Sequence, residues 1–292
     1  VFTKLWPDPE VEGRIYLQAQ ALFADQIAGA DKDKLYGEIL FDVMHKLSAV
    51  KFHLEIYRRT ERVLYEQHVE AFRRNPNENA ECFPLIFAFE GFMFQMKSCL
   101  DMLVKIFEIV PMPNNPKTQT YGDKGENLLK ALEASRDQYE KFIQEGKTAF
   151  SKKVEQVDAM VQLVEEARDG WLAEAVGLRD TISHYSAAKH FLFKPMMTGK
   201  GIDAAKPTLT HHGKVVAPVT FLQSVYTALV AFAQDFMCRA LHLRMRLPVQ
   251  LSRADQTRAE AFGGKQYAQF IKWEWTMNGE AVRGIFNTGS AE

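Results

Sequence analysis

LIFAFEGFMFQMKSCLDMLVKIFEIV, residues 85–110, is apolar on nearly every side of a helical projection, which marks a helix buried on most of its faces. Such a helix needs other helices to cover it, and the flanking sequence supplies them. Upstream, apolar positions step by four and three through Tyr36, Leu40, Val43, Leu47, Val50, Leu54 and Tyr57 to Leu64. This is a heptad-like seam on one long helix, interrupted by Glu61. Its opposite face carries Lys46, Lys51, Arg58, Arg59 and Arg62, interspersed with Glu55, Glu61 and Glu66, the pattern of a solvated flank more than of a basic strip. RRNPNENAECFP (73–84) separates the two helices and is rich in turn formers, so a boundary is expected there.

Downstream, PMPNNPKTQTYGDKG (111–125) breaks the apolar helix. Residues 126–168 are amphipathic and more charged, as in two helices on the outside of a bundle. Trp171 to His184 forms the next core helix, with Trp171, Leu172, Ala175, Val176, Leu178 and Ile182 as its apolar positions. FLFKPMM (191–197) and HHGKVVAPV (211–219) read as short strands around a loop containing Gly199, Gly201 and Pro207. Helix returns over 218–245. Near the end, Trp273 and Trp275 alternate with Glu274, and Asn278-Gly279 supplies a tight turn, so a small hairpin is expected. The fold class is mostly α: an antiparallel helical bundle with a long N-terminal helix and small β-hairpin additions. The expected division is an N-terminal helical extension over 1–80, a bundle over 84–247 with a charged middle at 113–168 and a short β element at 190–219, and a tail over 248–292.

Composition narrows the function classes. The 292 residues are 47% apolar and 25% charged, ordinary for a globular chain. Lys plus Arg (36) nearly cancels Asp plus Glu (37), so any nucleic-acid partner must be met by a local patch. Cys82, Cys99 and Cys238 are odd in number and lack CxxC spacing, which fits a reducing compartment and a cytoplasmic location. The start of the chain lacks the pattern of a signal peptide, and no stretch is apolar for long enough to span a membrane.

Two constellations carry candidate chemistry. On the apolar helix, Glu90, Lys97 and Asp101 return to within about 20° of one direction and form a polar stripe. The stripe is either an internal salt-bridge ladder or the lining of a cleft. The second is LRDTISHYSAAKH (178–190), which gathers Arg179, Asp180, Thr181, Ser183, His184 and Tyr185 at one helix end. Arg179 and His184 lie about 140° apart on a straight helix, so they converge only if the helix ends between them or if two copies meet across a twofold axis. A forked cation and a near-neutral imidazole can cleave a phosphodiester without metal. The plain alternative is that they serve the helix dipole and the last carbonyls.

Arg179-Asp180-Thr181-Ile182-Ser183-His184, near the end of a core helix, resembles the signature of the HEPN superfamily of helical-bundle ribonucleases. FEGFMFQMKSCLDMLVKIF resembles that family's first core helix, which packs antiparallel to the motif helix, and the resemblance covers about residues 84–246. It implies that Arg179 binds the scissile phosphate, that His184 is the general acid or base, and that Asp180 orients one of them. It further implies RNA as substrate, a homodimer with both motif helices in one cleft, and an antitoxin or larger defence complex as a further partner, with no metal and no cofactor. Ser183, Tyr185, Glu90, Lys97 and Asp101 stand as cleft-side support. Some HEPN toxins carry a modifiable Tyr two positions after the His; that position is Ser186 here. A non-catalytic HEPN-like module that binds nucleotide or RNA, or serves as a dimerisation scaffold, is the alternative, and a purely structural helical protein is the third reading.

Other signals point to packing. Phe87, Phe89, Phe92 and Phe94 with Met93 and Met96 read as core, and His211-His212, without a nearby ligand set, as a surface loop. No phosphate-binding loop, dinucleotide fingerprint or nucleophile elbow occurs.

Overall fold

The computed structural model describes residues 27–77, 82–114, 120–122, 124–184, 191–211, 214–244, 252–253, 270–277 and 280–285, together with Ile15 and Ala19. For 181–184, 211, 214 and the residues from 252 onward it describes the backbone alone.

Helix α1 (Ala30–Lys34) passes through a π turn, Leu35–Ile39, into α2 (Leu40–Arg74). Leu40, Val43, Leu47, Val50, Leu54 and Tyr57 are buried along one side of α2, so the heptad-like seam is the core face. Glu61 continues that seam and is buried too. Its carboxylate lies 3.0 Å from Lys206 Nζ, and this pairing lets a charge occupy an apolar stripe. α2 stops at Asn75, extended at φ −145°, ψ 100°, immediately before Pro76, whose ring disfavours helix in the preceding residue.

Helix α3 (Phe83–Val104) has Pro84 in its first turn, where the missing N–H costs nothing, and continues as a 3-10 turn over Lys105–Glu108. It runs antiparallel to α2: Lys46 donates to Gln95 (3.3 Å) and Lys105 meets Asp42 (3.5 Å). Beyond the Lys46–Gln95 level, toward the start of α3, His53 leans on Gly91, where a Cβ would stand 2.4 Å from the imidazole Cε1. The absence of a side chain at Gly91 is what admits the ring.

The burial of α3 corrects one expectation. Phe89, Phe92, Met93 and Met96 are core, but Phe83, Phe87 and Phe94 are 51%, 64% and 67% exposed. At 100° per residue these three share an outer face with Glu90, so the polar stripe and the exposed rings are one surface.

Two amphipathic helices, α4 (Glu126–Gln144) and α5 (Ser151–Ala167), follow as expected. They bury Leu128, Leu132, Val157, Met160 and Val164, and Arg136 bridges them through Asp158 at 2.9 Å. The next core helix does not begin at Trp171. α5 runs through a π turn, Arg168–Leu172, into α6 (Ala173–His184), and Gly170 absorbs the bend at φ −103°, ψ −120°. Trp171 sits inside the turn with its ring 6.1 Å from Phe232.

Helix α7 (Pro218–Arg244) threads the middle. Arg58 of α2 donates to its Gln223, Lys153 of α5 to its Leu243 carbonyl, and its own Arg244 to Asp31 and to the Ile109 carbonyl, both at 2.6 Å. Buried residues of α2, α3, α4, α5, α6 and α7 form one connected cluster. The breaker-rich stretch after Arg74 therefore turns the chain within one core, and the expected line between a 1–80 extension and an 84–247 bundle does not divide that core.

The β elements differ in pairing. FLFKPMM does not pair with HHGKVVAPV: β1 (Lys194–Thr198) pairs with β2 (Gly201–Ala205), and β3 (Leu209–His211) with β4 (Lys214–Val216), as two separate hairpins. Gly201 opens β2 at φ 112° rather than lying in a loop, and the Thr198–Gly201 pair closes a two-residue turn. The C-terminal hairpin expected around Trp273 is β6 (Phe270–Met277) against β7 (Glu280–Ile285), extended by β5 (Ser252–Arg253), a strand the sequence did not announce. Asn278, Gly279 and His212 lie outside the described residues.

Candidate functional site

Leu172 closes the π turn against the core, and helix α6 presents Ala175, Val176 and Leu178 to it and packs on α3. Arg179, four positions after Ala175 and three after Val176, continues that buried face with about a quarter of its side chain exposed. Its Nε and Nη2 both donate to Asp180 Oδ1, at 3.0 and 2.8 Å. The carboxylate thus fixes the direction of the guanidinium, an arrangement that can present a cation to a phosphate or simply neutralise it. The helix stays continuous to His184, so the backbone does not end between Arg179 and His184, and the roughly 140° between those two positions stands. Thr181, Ser183 and His184 are helical in backbone; Tyr185 lies outside the described residues.

The three polar residues of α3 separate into two roles. Lys97 Nζ lies 2.7 Å from Asp101 Oδ1, and the same oxygen accepts the Tyr121 amide at 3.0 Å. That pair pins the chain entering α4 to the outer edge of α3, with Tyr121 buried beneath it and its ring 5.9 Å from Phe232. Glu90 is exposed and forms no ion pair or hydrogen bond with the described residues. Among the described residues, then, Lys97 and Asp101 serve one another and the backbone.

One concavity carries no signal in the sequence. A cleft of about 780 Å³ opens between the C-terminal half of α2 and the β1–β2 hairpin, lined by Tyr65, Glu66, Val69, Arg73, Lys200 and Asp203 among others. Tyr65 Oη donates to Asp203 Oδ1 at 2.7 Å, and the Ala204 amide donates to the same oxygen. Those two bonds hold the Asp203 carboxyl below its ordinary range, and the Tyr65 phenol is pushed up chiefly by the bond to Asp203. Lys206 lies 5.5 Å over the Tyr65 ring while bridging to Glu61. Its described lining brings together carboxylates, two cations and a tethered phenol, groups suited to binding. Tyr65 and Asp203 are 138 positions apart, and no local pattern joins them.

Among the described residues no three His, Cys, Asp or Glu side chains converge as a metal site, and no helix is long and apolar enough to cross a membrane. Comparison with protein-family models, curated proteins and solved structures found no match to this chain.

Proposed function

We propose that the chain is a metal-independent endoribonuclease of the HEPN type, a toxin or antiphage effector acting as a homodimer in the cytoplasm. The observation that carries this reading is the Arg179–Asp180 pair on a core helix that runs on through His184. In this mechanism Arg179, aimed by Asp180, neutralises the scissile phosphate. One His184 accepts the proton of the ribose 2'-hydroxyl as that oxygen attacks phosphorus. The bond to the 5'-oxygen breaks, and the leaving oxygen takes a proton from an imidazolium. The products are a cyclic phosphate and a 5'-hydroxyl, with no metal in the balance. Because one straight helix holds the two positions about 140° apart, a second chain completes the cleft.

The alternative is a non-catalytic HEPN-like module that binds RNA or nucleotide, or scaffolds a larger complex. Engagement of both Nε and Nη2 of Arg179 by Asp180 favours it, since a satisfied cation needs no substrate. Incubation with RNA in EDTA separates the two. Cleavage abolished by both Arg179→Ala and His184→Ala supports the enzyme; binding without cleavage supports the module; cleavage that survives His184→Ala overturns the mechanism.

A further inference from the structure

The outer face of α3 is the largest anomaly outside the proposed site. Phe83, Phe87, Glu90 and Phe94 fall within about 60° of one another around the helix. The rings of Phe83 and Phe87 stack at 6.5 Å, and all three phenylalanines are more than half exposed. At ~200 Å² per phenylalanine they present roughly 350 Å² of aromatic surface, within the range of the largest apolar patch on a typical monomer, a patch that is often functional. Glu90 stands between Phe87 and Phe94 without a partner among the described residues.

We infer that this stripe docks a short amphipathic helix of another protein, one that carries apolar residues on either side of a Lys or Arg. Burying the stripe under a wholly apolar partner would strand the Glu90 carboxylate, whereas a cation opposite it completes an ion pair at the centre of an aromatic contact. A second copy of this chain fits less well on two counts. The area is under half of the ~800 Å² per partner that a stable globular interface buries. The antiparallel twofold arrangement that sets Phe87 against Phe94 of the other copy also brings both Glu90 carboxylates beside the axis with no cation between them. A peptide-sized helix needs no more area than the stripe offers and can carry the missing charge.

The test selects short helical peptides from a phage-displayed library on the full chain and titrates the enriched ones by fluorescence anisotropy. The expected peptides carry Lys or Arg between apolar residues at helical spacing. Phe87→Ser combined with Phe94→Ser weakens them by roughly thirtyfold or more, with the melting temperature unchanged because both rings are exposed. Glu90→Lys reverses the charge preference, so that peptides with Glu at the central position bind about tenfold better than their Lys counterparts. Enriched peptides indifferent to Phe87 and Phe94, or equally tight on the Glu90→Lys chain, overturn the inference. So does a dimer by light scattering that the double Ser variant converts to monomer, which would give the stripe to a second copy. Failure of hydroxyl radicals to label Phe87 and Phe94 in the free chain would give it to the chain's own termini and equally overturn the inference.

Discussion

Replacing Gly91 by Ala tests the contact that locks α2 to α3. On an open helix Ala is preferred to Gly by about 1 kcal/mol, so the change should stabilise. Here the new methyl would stand 2.4 Å from His53 Cε1 and 2.5 Å from Nδ1, against about 3.5–4.0 Å for a normal contact. The imidazole, wedged between the helices, must move by more than an ångström, and overpacking of that kind costs ~1–3 kcal/mol. Gly91→Ala alone is therefore expected to be neutral to destabilising by up to about 2 kcal/mol. With His53→Ala already in place the clash is gone, and the same substitution should stabilise by about 1 kcal/mol. Urea titration of the four chains gives the coupling directly, expected at roughly 1–3 kcal/mol. If Gly91→Ala stabilises equally with and without the imidazole, His53 does not pack on Gly91 and the register between α2 and α3 is wrong.

Burial also holds the His53 imidazole below its ordinary value, so the unfolded chain binds the proton more readily. The associated stability is present above about pH 6.5 and is lost as pH falls below it; unfolding measured from pH 8 to 5 should show a shallower decline in His53→Gln. Leu47→Ala empties a fully buried site on the long helix and should cost about 2–5 kcal/mol. Because α2 and the later helices share one core, it should lower a single melting transition by roughly 5–15 °C, whereas a first transition confined to the N-terminal helix would contradict the shared core. Cys82, Cys99 and Cys238 are all buried, and burial raises each thiol, that of Cys99 up to about 12. A thiol reagent near neutral pH should label none of them in the native protein and all three after denaturation; rapid native labelling would show an exposed thiolate instead.

The helices were legible because their signals are local. The four-and-three spacing from Leu40 to Tyr57 became the buried face of α2, and the charged amphipathic stretch after Gly125 became α4 and α5. What failed was side assignment. Phenylalanine reads as core wherever it falls, so the sequence groups Phe87 and Phe94 with Phe89 and Phe92. The correct side was available from Glu90, Lys97 and Asp101, which mark the outward direction of α3. Glu61 read as an interruption because its partner, Lys206, lies 145 positions away. The two β-hairpins read as strands around a single loop because Gly199 and Gly201 both suggest a loop, while pairing depends on register across the turn. At the candidate site the sequence supplied the residue types and the helix. It did not supply the Arg179–Asp180 bond, which depends on rotamers, or the Tyr65–Asp203 cleft, which depends on how β2 lies along α2.

The most direct test of the central claim is RNA cleavage by the purified chain in EDTA, followed as the appearance of cyclic-phosphate and 5'-hydroxyl ends, with Arg179→Ala and His184→Ala measured alongside. Metal-free cleavage is expected, with a specific activity that rises with protein concentration as dimers form and a loss of at least about a hundredfold in either variant. Cleavage that requires a divalent metal, or that persists in His184→Ala, would contradict it.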